Sequence, residues 1–147
     1  MTDGDTIRVR LDGENESVRY IGIDTPEMNY DEGAPACFAP QATELNRQLL
    51  GGGDEVRLVF DRERRDRYGR LLAYVYSGST LLQAELLERG YARTLEVPPN
   101  TSRAGYFASL EDKARKAGRG LWSACRGQPV SFAVRFRDPS VISDTGM

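Results

Sequence analysis

The sequence predicts a single domain that combines β-strands with α-helices. Its 147 residues match the usual length of one compact domain, and 39% of them are apolar, which is enough to bury a hydrophobic core. Residues 6–11 alternate between apolar and polar side chains, as in a half-buried strand. Residues 40–50 instead carry apolar side chains at helical spacing. The two periodicities together indicate a mixed α+β fold.

The elements are separated by recognisable turn signals. Asp12-Gly13 predicts a hairpin between strands at 6–11 and 18–23, and Pro40 begins a helix that ends at the glycines of 51–53. Further along, the pattern predicts strands at 56–60 and 71–76, helices at 82–89 and 103–117, and a loop at 94–102. These elements form a domain of residues 1–126. A C-terminal extension of 127–147 contains one more alternating strand at 130–137 and then a flexible tail.

The composition excludes several classes of chemistry. The chain has no histidine and only two cysteines, which removes Ser-His-Asp and Cys-His hydrolysis, two-histidine ribonuclease chemistry and most zinc sites. Any bound metal would therefore be a hard cation on oxygen ligands. No apolar stretch is long enough to span a membrane, and no signal peptide precedes the domain, so we expect no membrane partner.

The charge balance gives a second constraint. A net charge of −2 and a pI near 5.3 do not favour a bulk nucleic-acid binder. The cations are 18 arginines and only 2 lysines, and arginine grips phosphate with two parallel hydrogen bonds. The same bias could instead reflect genomic base composition.

Two acidic motifs flank the predicted hairpin. Asp3-Gly4-Asp5-Thr6 precedes its first strand, and Asp24-Thr25-Pro26-Glu27 follows its second strand, which contains Arg19. If the strands pair, Asp5 and Asp24 lie at neighbouring ends of the hairpin, where two carboxylates and a backbone carbonyl suit Ca²⁺. Taken singly, the first motif could be an ordinary turn, and the second could be a strand exit or a helix cap.

A third motif, Asp66-Arg67-Tyr68-Gly69-Arg70, ends an arginine-rich segment. Residues 57–70 contain six arginines and three acids. The segment could be a solvated loop between two strands. Alternatively, Arg70 and Tyr68 form an anion clamp at a strand entrance, and Gly69 lets the backbone approach the ligand.

The three motifs in this order resemble the staphylococcal nuclease (thermonuclease) family over residues 2–125. Gly90-Tyr91-Ala92 and Gly120-Leu121-Trp122 fit the same family. The resemblance implies an OB-fold, a five-stranded Greek-key β-barrel with about three helices. In that family a strand leads into the first motif, and only two residues precede Asp3 here. We therefore expect a truncated first strand and an open barrel edge, which residues 130–137 could cover within the chain or by exchange between chains.

The resemblance also implies the ligands of a Ca²⁺ ion. Asp5 and Asp24 would bind it through their carboxylates, and Thr25 would bind it through its main-chain carbonyl. Asp3 would lie next to these ligands and hold them in place without binding the ion itself. Glu27 would orient or deprotonate the attacking water.

The resemblance also implies roles for several arginines. Arg19 and Arg70 would grip the scissile phosphate, whose oxygens gain charge during attack. Arg67 and Tyr68 would contact a neighbouring phosphate or the nucleotide. Replacing Arg19 or Arg70 with Ala is expected to abolish turnover and to leave the fold intact.

Two features depart from the family or extend it. The loop at 94–100 lacks the tyrosines that hold the nucleotide in the family's best-known member. Tyr91 and Tyr106 could compensate, but their positions beside helices favour the core. Cys37 and Cys125 could form a disulfide that ties the last helix to the barrel, as expected of a secreted or periplasmic enzyme, or they could be free thiols of a cytoplasmic protein.

The resemblance therefore predicts a Ca²⁺-dependent, sequence-nonspecific endonuclease that cleaves DNA and RNA and leaves 3′-phosphates. We expect a monomer, with a strand-exchanged dimer as the alternative. A noncatalytic nucleic-acid or protein-interaction module on the same fold is the main alternative function. A third possible function is a Ca²⁺-stabilised structural domain, in which Arg19 and Arg70 have no role.

Overall fold

The computed structural model describes residues 3–29, 33–51 and 55–127. The predicted strand at 130–137 and the rest of 128–147 lie outside these ranges. In chain order the elements are β1 (Thr6–Leu11), β2 (Glu14–Tyr20), β3 (Ile23–Asp24), α1 (Ala39–Leu50), β4 (Arg57–Val59), β5 (Leu71–Ser77), β6 (Thr80–Leu81), α2 (Leu82–Glu88), β7 (Arg93–Thr94), α3 (Ala104–Ala117) and α4 (Leu121–Ala124).

The main sheet is a curled half-barrel with the strand order β1-β2-β5-β4, and β6 pairs with β5. β1 and β2 form the predicted hairpin, and its turn residues Asp12 and Gly13 have positive φ angles of 52° and 82°, as a two-residue hairpin turn requires. β2 and β5 are parallel. Among the described residues no strand joins β1 to β4, so the sheet has the expected open edge.

Strand β2 differs from its prediction at both ends. It begins at Glu14 and ends at Tyr20 rather than spanning 18–23. Gly22 turns the chain with φ +87°, and a Cβ atom there would lie 2.7 Å from the Phe107 ring. Residues 23–24 therefore form the separate strand β3, which pairs with β7 in a second small sheet. The two-residue strands β6 and β7 and the short helix α4 were not predicted.

Helix α3 packs against α2 and β7 through a different face from the one predicted. The sequence favours Tyr106, Leu110 and Ala114 as the inner face, but the buried residues are Phe107, Leu110 and Ala114. Tyr106 is 50% exposed, since successive helical residues are rotated by about 100°. The prediction that Tyr106 is a core residue is therefore wrong. Tyr91 is partly buried against the core, with its ring edge-on to another aromatic side chain.

The two cysteines form the predicted disulfide. Cys37 and Cys125 are 88 residues apart in sequence, and their Cα atoms lie 5.9 Å apart. Cys37 precedes α1 and Cys125 follows α4, so the bond ties the end of the last helix to the start of the first. Within the described ranges, no helix has the length and apolarity needed to cross a bilayer.

Candidate active site

Two buried acids meet at one end of the hairpin, with an arginine between them. Asp5 and Asp24 are both 0% exposed, and Arg19 is 6% exposed. Arg19 Nη1 lies 3.5 Å from Asp5 Oδ2, and Nη2 lies 3.5 Å from Asp24 Oδ1. Arg19 Nη1 also donates to the carbonyls of Tyr20 and Ile23 at 3.1 and 2.9 Å. Pairing of β1 with β2 thus brings together three of the residues singled out from the sequence.

Asp5 is held as a carboxylate by its neighbours. Its Oδ2 accepts hydrogen bonds from the Thr25 backbone N–H at 2.9 Å and the Thr25 hydroxyl at 3.1 Å. Its Oδ1 accepts a bond from the Thr6 hydroxyl at 3.1 Å. Burial opposes the charged form, but the charge of Arg19 and these hydrogen bonds outweigh burial and lower the pKa of Asp5. Asp5 is therefore ionised at neutral pH.

Asp3 supports Asp5 through a hydrogen bond to its backbone. Its Oδ1 accepts a hydrogen bond from the Asp5 backbone N–H at 3.1 Å. Burial, and then the negative charge of Asp5, raise the pKa of Asp3 to about 8. The Asp3 carbonyl accepts a bond from Asn46 Nδ2 at 3.2 Å, and Asn46 in turn accepts one from the Tyr20 hydroxyl at 2.6 Å. Helix α1 and strand β2 thereby fix the first acidic motif.

A second arginine, which the sequence analysis did not single out, contacts Asp24. Arg93 Nη2 donates to Asp24 Oδ2 at 3.1 Å, because the pairing of β3 with β7 places Arg93 opposite Asp24. A two-residue strand has no periodicity to detect, so the sequence gives no signal for this contact. The Asp24 carboxylate lies between two guanidinium groups.

The third motif forms a tight turn organised by Asp66. Asp66 Oδ1 accepts the backbone N–H groups of Tyr68 and Arg70, both at 2.9 Å, and Oδ2 accepts Arg70 Nε at 2.7 Å. Tyr68 is 56% exposed, and the guanidinium carbons of Arg67 and Arg70 lie 5.8 and 5.7 Å from its ring centre. The turn therefore places the aromatic ring of Tyr68 beside the guanidinium groups of Arg67 and Arg70. The sequence motif contains Asp66, but its orienting role emerges only from these contacts.

The parallel pairing of β2 with β5 relates this turn to the buried acids. Val18 lies beside Leu71, and Arg19 lies beside Leu72. Arg70 immediately precedes β5, so its backbone lies beside Ser17 at the same end of the sheet. Both arginines predicted to bind one phosphate thus belong to adjacent strands.

Glu27 lies three residues beyond Asp24, in the segment that leaves β3. Its side chain is partly buried, and its backbone carbonyl accepts a hydrogen bond from the Ala36 N–H at 2.9 Å. That bond closes the segment back on the residues that lead into α1. Glu27 is therefore carried by an anchored loop.

The donor set suits a hard cation. Asp5 and Asp24 offer buried carboxylate oxygens, and their contacts with Arg19 are 3.5 Å long, whereas closed charge-assisted bonds are about 2.7–2.9 Å. Among residues 3–29, 33–51 and 55–127, no three acidic or cysteine side chains cluster as a metal site. A hard cation bound by these two carboxylates would need further oxygen ligands.

Comparison with known proteins agrees with this geometry. Residues 17–124 match the model of the family described as staphylococcal nuclease homologue. The chain is 40% identical over 123 residues to the SPbeta prophage-derived endonuclease YokF of Bacillus subtilis and 39% identical over 123 residues to endonuclease YncB of the same organism. It is 36% identical over 120 residues to the thermonuclease of Staphylococcus intermedius.

Each match covers 82% of this chain. The chain spans 41% and 58% of the lengths of the two Bacillus endonucleases and 71% of the thermonuclease. The family model covers most of the region that contains the three motifs, which confirms the resemblance and the predicted OB-fold. On this evidence the chain belongs to the staphylococcal nuclease family.

Proposed function

We propose that this protein is a Ca²⁺-dependent endonuclease that hydrolyses phosphodiester bonds of DNA and RNA without regard to sequence. The observation that carries the proposal is the buried cluster of Asp5, Arg19 and Asp24, in which a guanidinium and two carboxylates share one small volume. The relatives' names, endonuclease and thermonuclease, support the same reaction class.

The cation would be held by Asp5 and Asp24, with the Thr25 carbonyl, and Asp3 would keep the first carboxylate in position. When bound, it would supply positive charge that offsets the charge gained by the phosphate oxygens. Glu27 would accept the proton of the attacking water. In the balanced reaction, the water oxygen bonds to phosphorus, the bond to the 5′-oxygen breaks, and that oxygen takes up a proton, which leaves a 3′-phosphate.

The arginines would act on the phosphate itself. Arg19 and Arg70 each offer several N–H donors, and such donors stabilise the transition state because the equatorial oxygens gain charge there. Arg67 and Tyr68 would hold the next phosphate or nucleotide from the exposed turn. Every one of these contacts addresses the backbone, which has the same chemistry in every sequence. Cleavage should therefore be nonspecific.

The disulfide supports a place for this enzyme outside the reducing cytoplasm. Cys37 and Cys125 are joined, and such bonds persist in secreted and periplasmic proteins. We propose an exported enzyme that acts as a monomer.

Cleavage of a single-stranded oligonucleotide tests the proposed function. With Ca²⁺ the protein should cut and leave 3′-phosphate ends, and a chelator should stop cleavage until Ca²⁺ is restored. Glu27→Gln should lower kcat by at least ~10²-fold, because the amide cannot accept the proton. Glu88→Gln, at an exposed position on α2, is the matched control and should be fully active. A folded protein that binds the oligonucleotide but does not cut it would instead be a noncatalytic binding module.

Asp66→Asn should separate the orientation of Arg70 from the formation of its turn. The amide oxygen can still accept the backbone N–H groups, but the ion pair with Arg70 Nε is lost. We expect kcat/KM to fall by about ten- to a hundredfold, the usual cost of a misplaced catalytic group. Asp112→Asn, which breaks an exposed pair with Lys116 on α3, should have no effect. Wild-type activity of Asp66→Asn would show that Arg70 is oriented by other contacts.

A further inference from the structure

The face of the β1–β2 hairpin that carries Arg19 also carries two exposed arginines, Arg8 and Arg10. The antiparallel register pairs residues across the two strands in this order: Thr6 with Arg19, Arg8 with Ser17, and Arg10 with Asn15. Side chains two residues apart on a strand share one face. Arg8 and Arg10 therefore lie on the same face of the hairpin as Arg19, whereas the intervening Ile7 is buried on the core side.

Arg8 and Arg10 form a row of positive charge along β1. Arg8 and Arg10 are two residues apart, which corresponds to about 6.8 Å along an antiparallel strand. Arg8 is paired with Ser17, whose neighbour Val18 lies beside Leu71, the residue that follows Arg70. The backbones of Arg8 and Arg70 are thus two strands apart, or about 10 Å. The row begins beside the two arginines of the active site and leads away from them along β1.

Among the described residues, Arg8 and Arg10 form hydrogen bonds but no ion pairs. Arg8 Nη1 donates to the Ser17 hydroxyl at 3.5 Å, and Arg10 Nη1 donates to the Asn15 side-chain oxygen at 3.3 Å. Both acceptors are neutral, and in the part of the chain that the structure describes neither arginine pairs with an acid. Both side chains are exposed. Arg65 differs from them, since it binds an acid directly.

Glu16, which lies opposite Val9 on the hairpin, is already paired with an arginine. Both oxygens of Glu16 accept hydrogen bonds from Arg65 at 3.0 Å, which lowers the pKa of Glu16 and keeps it ionised and paired. Asp12 and Glu14 lie beyond Arg10, at the hairpin tip. The positive row therefore has two members and ends before the turn.

We propose that Arg8 and Arg10 bind phosphates of a single-stranded nucleic acid beyond the phosphate that is cleaved. The neutral partners Ser17 and Asn15 hold the two guanidinium groups against the sheet while leaving their charge available to an anion. The contacts are with the backbone of the nucleic acid, so they lengthen the binding site without reading sequence. This inference rests on the proposed nuclease function, because it extends the same substrate from Arg70 and Arg19 along β1.

Substrate length provides the test. The double variant Arg8→Gln/Arg10→Gln would be compared with the wild type on oligothymidylates of two and of twelve nucleotides. KM for the longer substrate should rise roughly tenfold, with kcat unchanged, whereas the dinucleotide should be cleaved as before. The slope of log affinity against log salt should fall by about 1.4, since each contact with a single strand contributes about 0.7.

Matched variants distinguish this binding surface from a general charge effect. Arg89→Gln/Arg115→Gln removes the same charge from α2 and α3 and should leave both substrates unaffected. Arg8→Lys/Arg10→Lys keeps the charge and should restore most of the affinity for the longer substrate. An equal loss on both substrates, or no loss on the longer one, would overturn the proposal.

Binding measurements keep this inference separate from the proposed function. Fluorescence anisotropy of the labelled twelve-nucleotide substrate in the presence of chelator reports affinity without cleavage. If the wild type binds but does not cut with Ca²⁺, the nuclease function fails. The double variant still decides the binding surface, and an affinity equal to that of the wild type would rule it out.

Discussion

Arg19→Ala is expected to lose both activity and stability. Its kcat should fall by at least ~10²–10³-fold, because a donor aimed at the developing charge is removed. Its free energy of unfolding should fall by about 3–5 kcal/mol, the usual cost of breaking a buried ion pair. The reason is that Asp5 and Asp24 are fully buried and both lie against Arg19. The sequence-based expectation that this substitution leaves the fold intact therefore needs revision.

Urea unfolding of a set of variants tests this dual loss. Arg70→Ala is the matched control, since the side chain of Arg70 is 29% exposed and its partner Asp66 still accepts two backbone N–H groups when Arg70 is removed. It should lose as much activity but less stability than Arg19→Ala. Added Ca²⁺ should recover part of the stability of Arg19→Ala by neutralising the two acids. An Arg19→Ala protein as stable as the wild type would show that the acids do not need this counter-charge.

Removing the disulfide is expected to give the largest loss of stability without a direct effect on the chemistry. Cys37→Ala/Cys125→Ala opens a loop of 88 residues, and the chain-entropy model assigns about 4–5 kcal/mol to a loop of that length. The bond joins the segment before α1 to the end of α4, whereas Asp5, Arg19 and Asp24 lie in or beside strands β1–β3. Below its melting temperature the variant should therefore cleave with nearly unchanged kcat.

Reductant supplies the control for the disulfide prediction. Wild-type protein in dithiothreitol should unfold at the same urea concentration as the double variant, and the variant itself should not respond to the reductant. A loss of well under 1 kcal/mol in the variant would mean that the unfolded chain is not restrained by the bond. If the variant is fully folded but less active, the disulfide contributes to catalysis, and the prediction is wrong.

The core of the site could be predicted because it depends on a hairpin. Alternation in residues 6–11 and the Asp12-Gly13 turn define the pairing and the register, which place Asp5 beside the end of β2. Asp24 reaches this point after the turn at Gly22. The turn at Asp66 is local as well, since the hydrogen bonds of Asp66 to Tyr68 and Arg70 span five residues. Local patterns of this kind are written directly in the sequence.

Other contacts depend on long-range packing and could not be predicted from such patterns. Arg93 reaches Asp24 only through pairing between two-residue strands, which are too short to show a period. The parallel pairing of β2 with β5 joins residues about fifty positions apart, and nothing near either strand specifies it. On α3 the sequence pattern favours Tyr106 as an inner residue, but Phe107 is buried instead, with its ring so close to Gly22 that a Cβ atom there would lie 2.7 Å from it.

The disulfide also divides the chain into two parts of unequal length, and each part contains some of the site residues. Asp5, Arg19, Asp24 and Glu27 all precede Cys37, outside the covalent loop, whereas Arg70 lies inside it. The main backbone connection between the two parts in the sheet is the pairing of β2 with β5. A chain divided between Asn29 and Gly33 would give two fragments, neither with a whole site, so nuclease activity would report their reassembly.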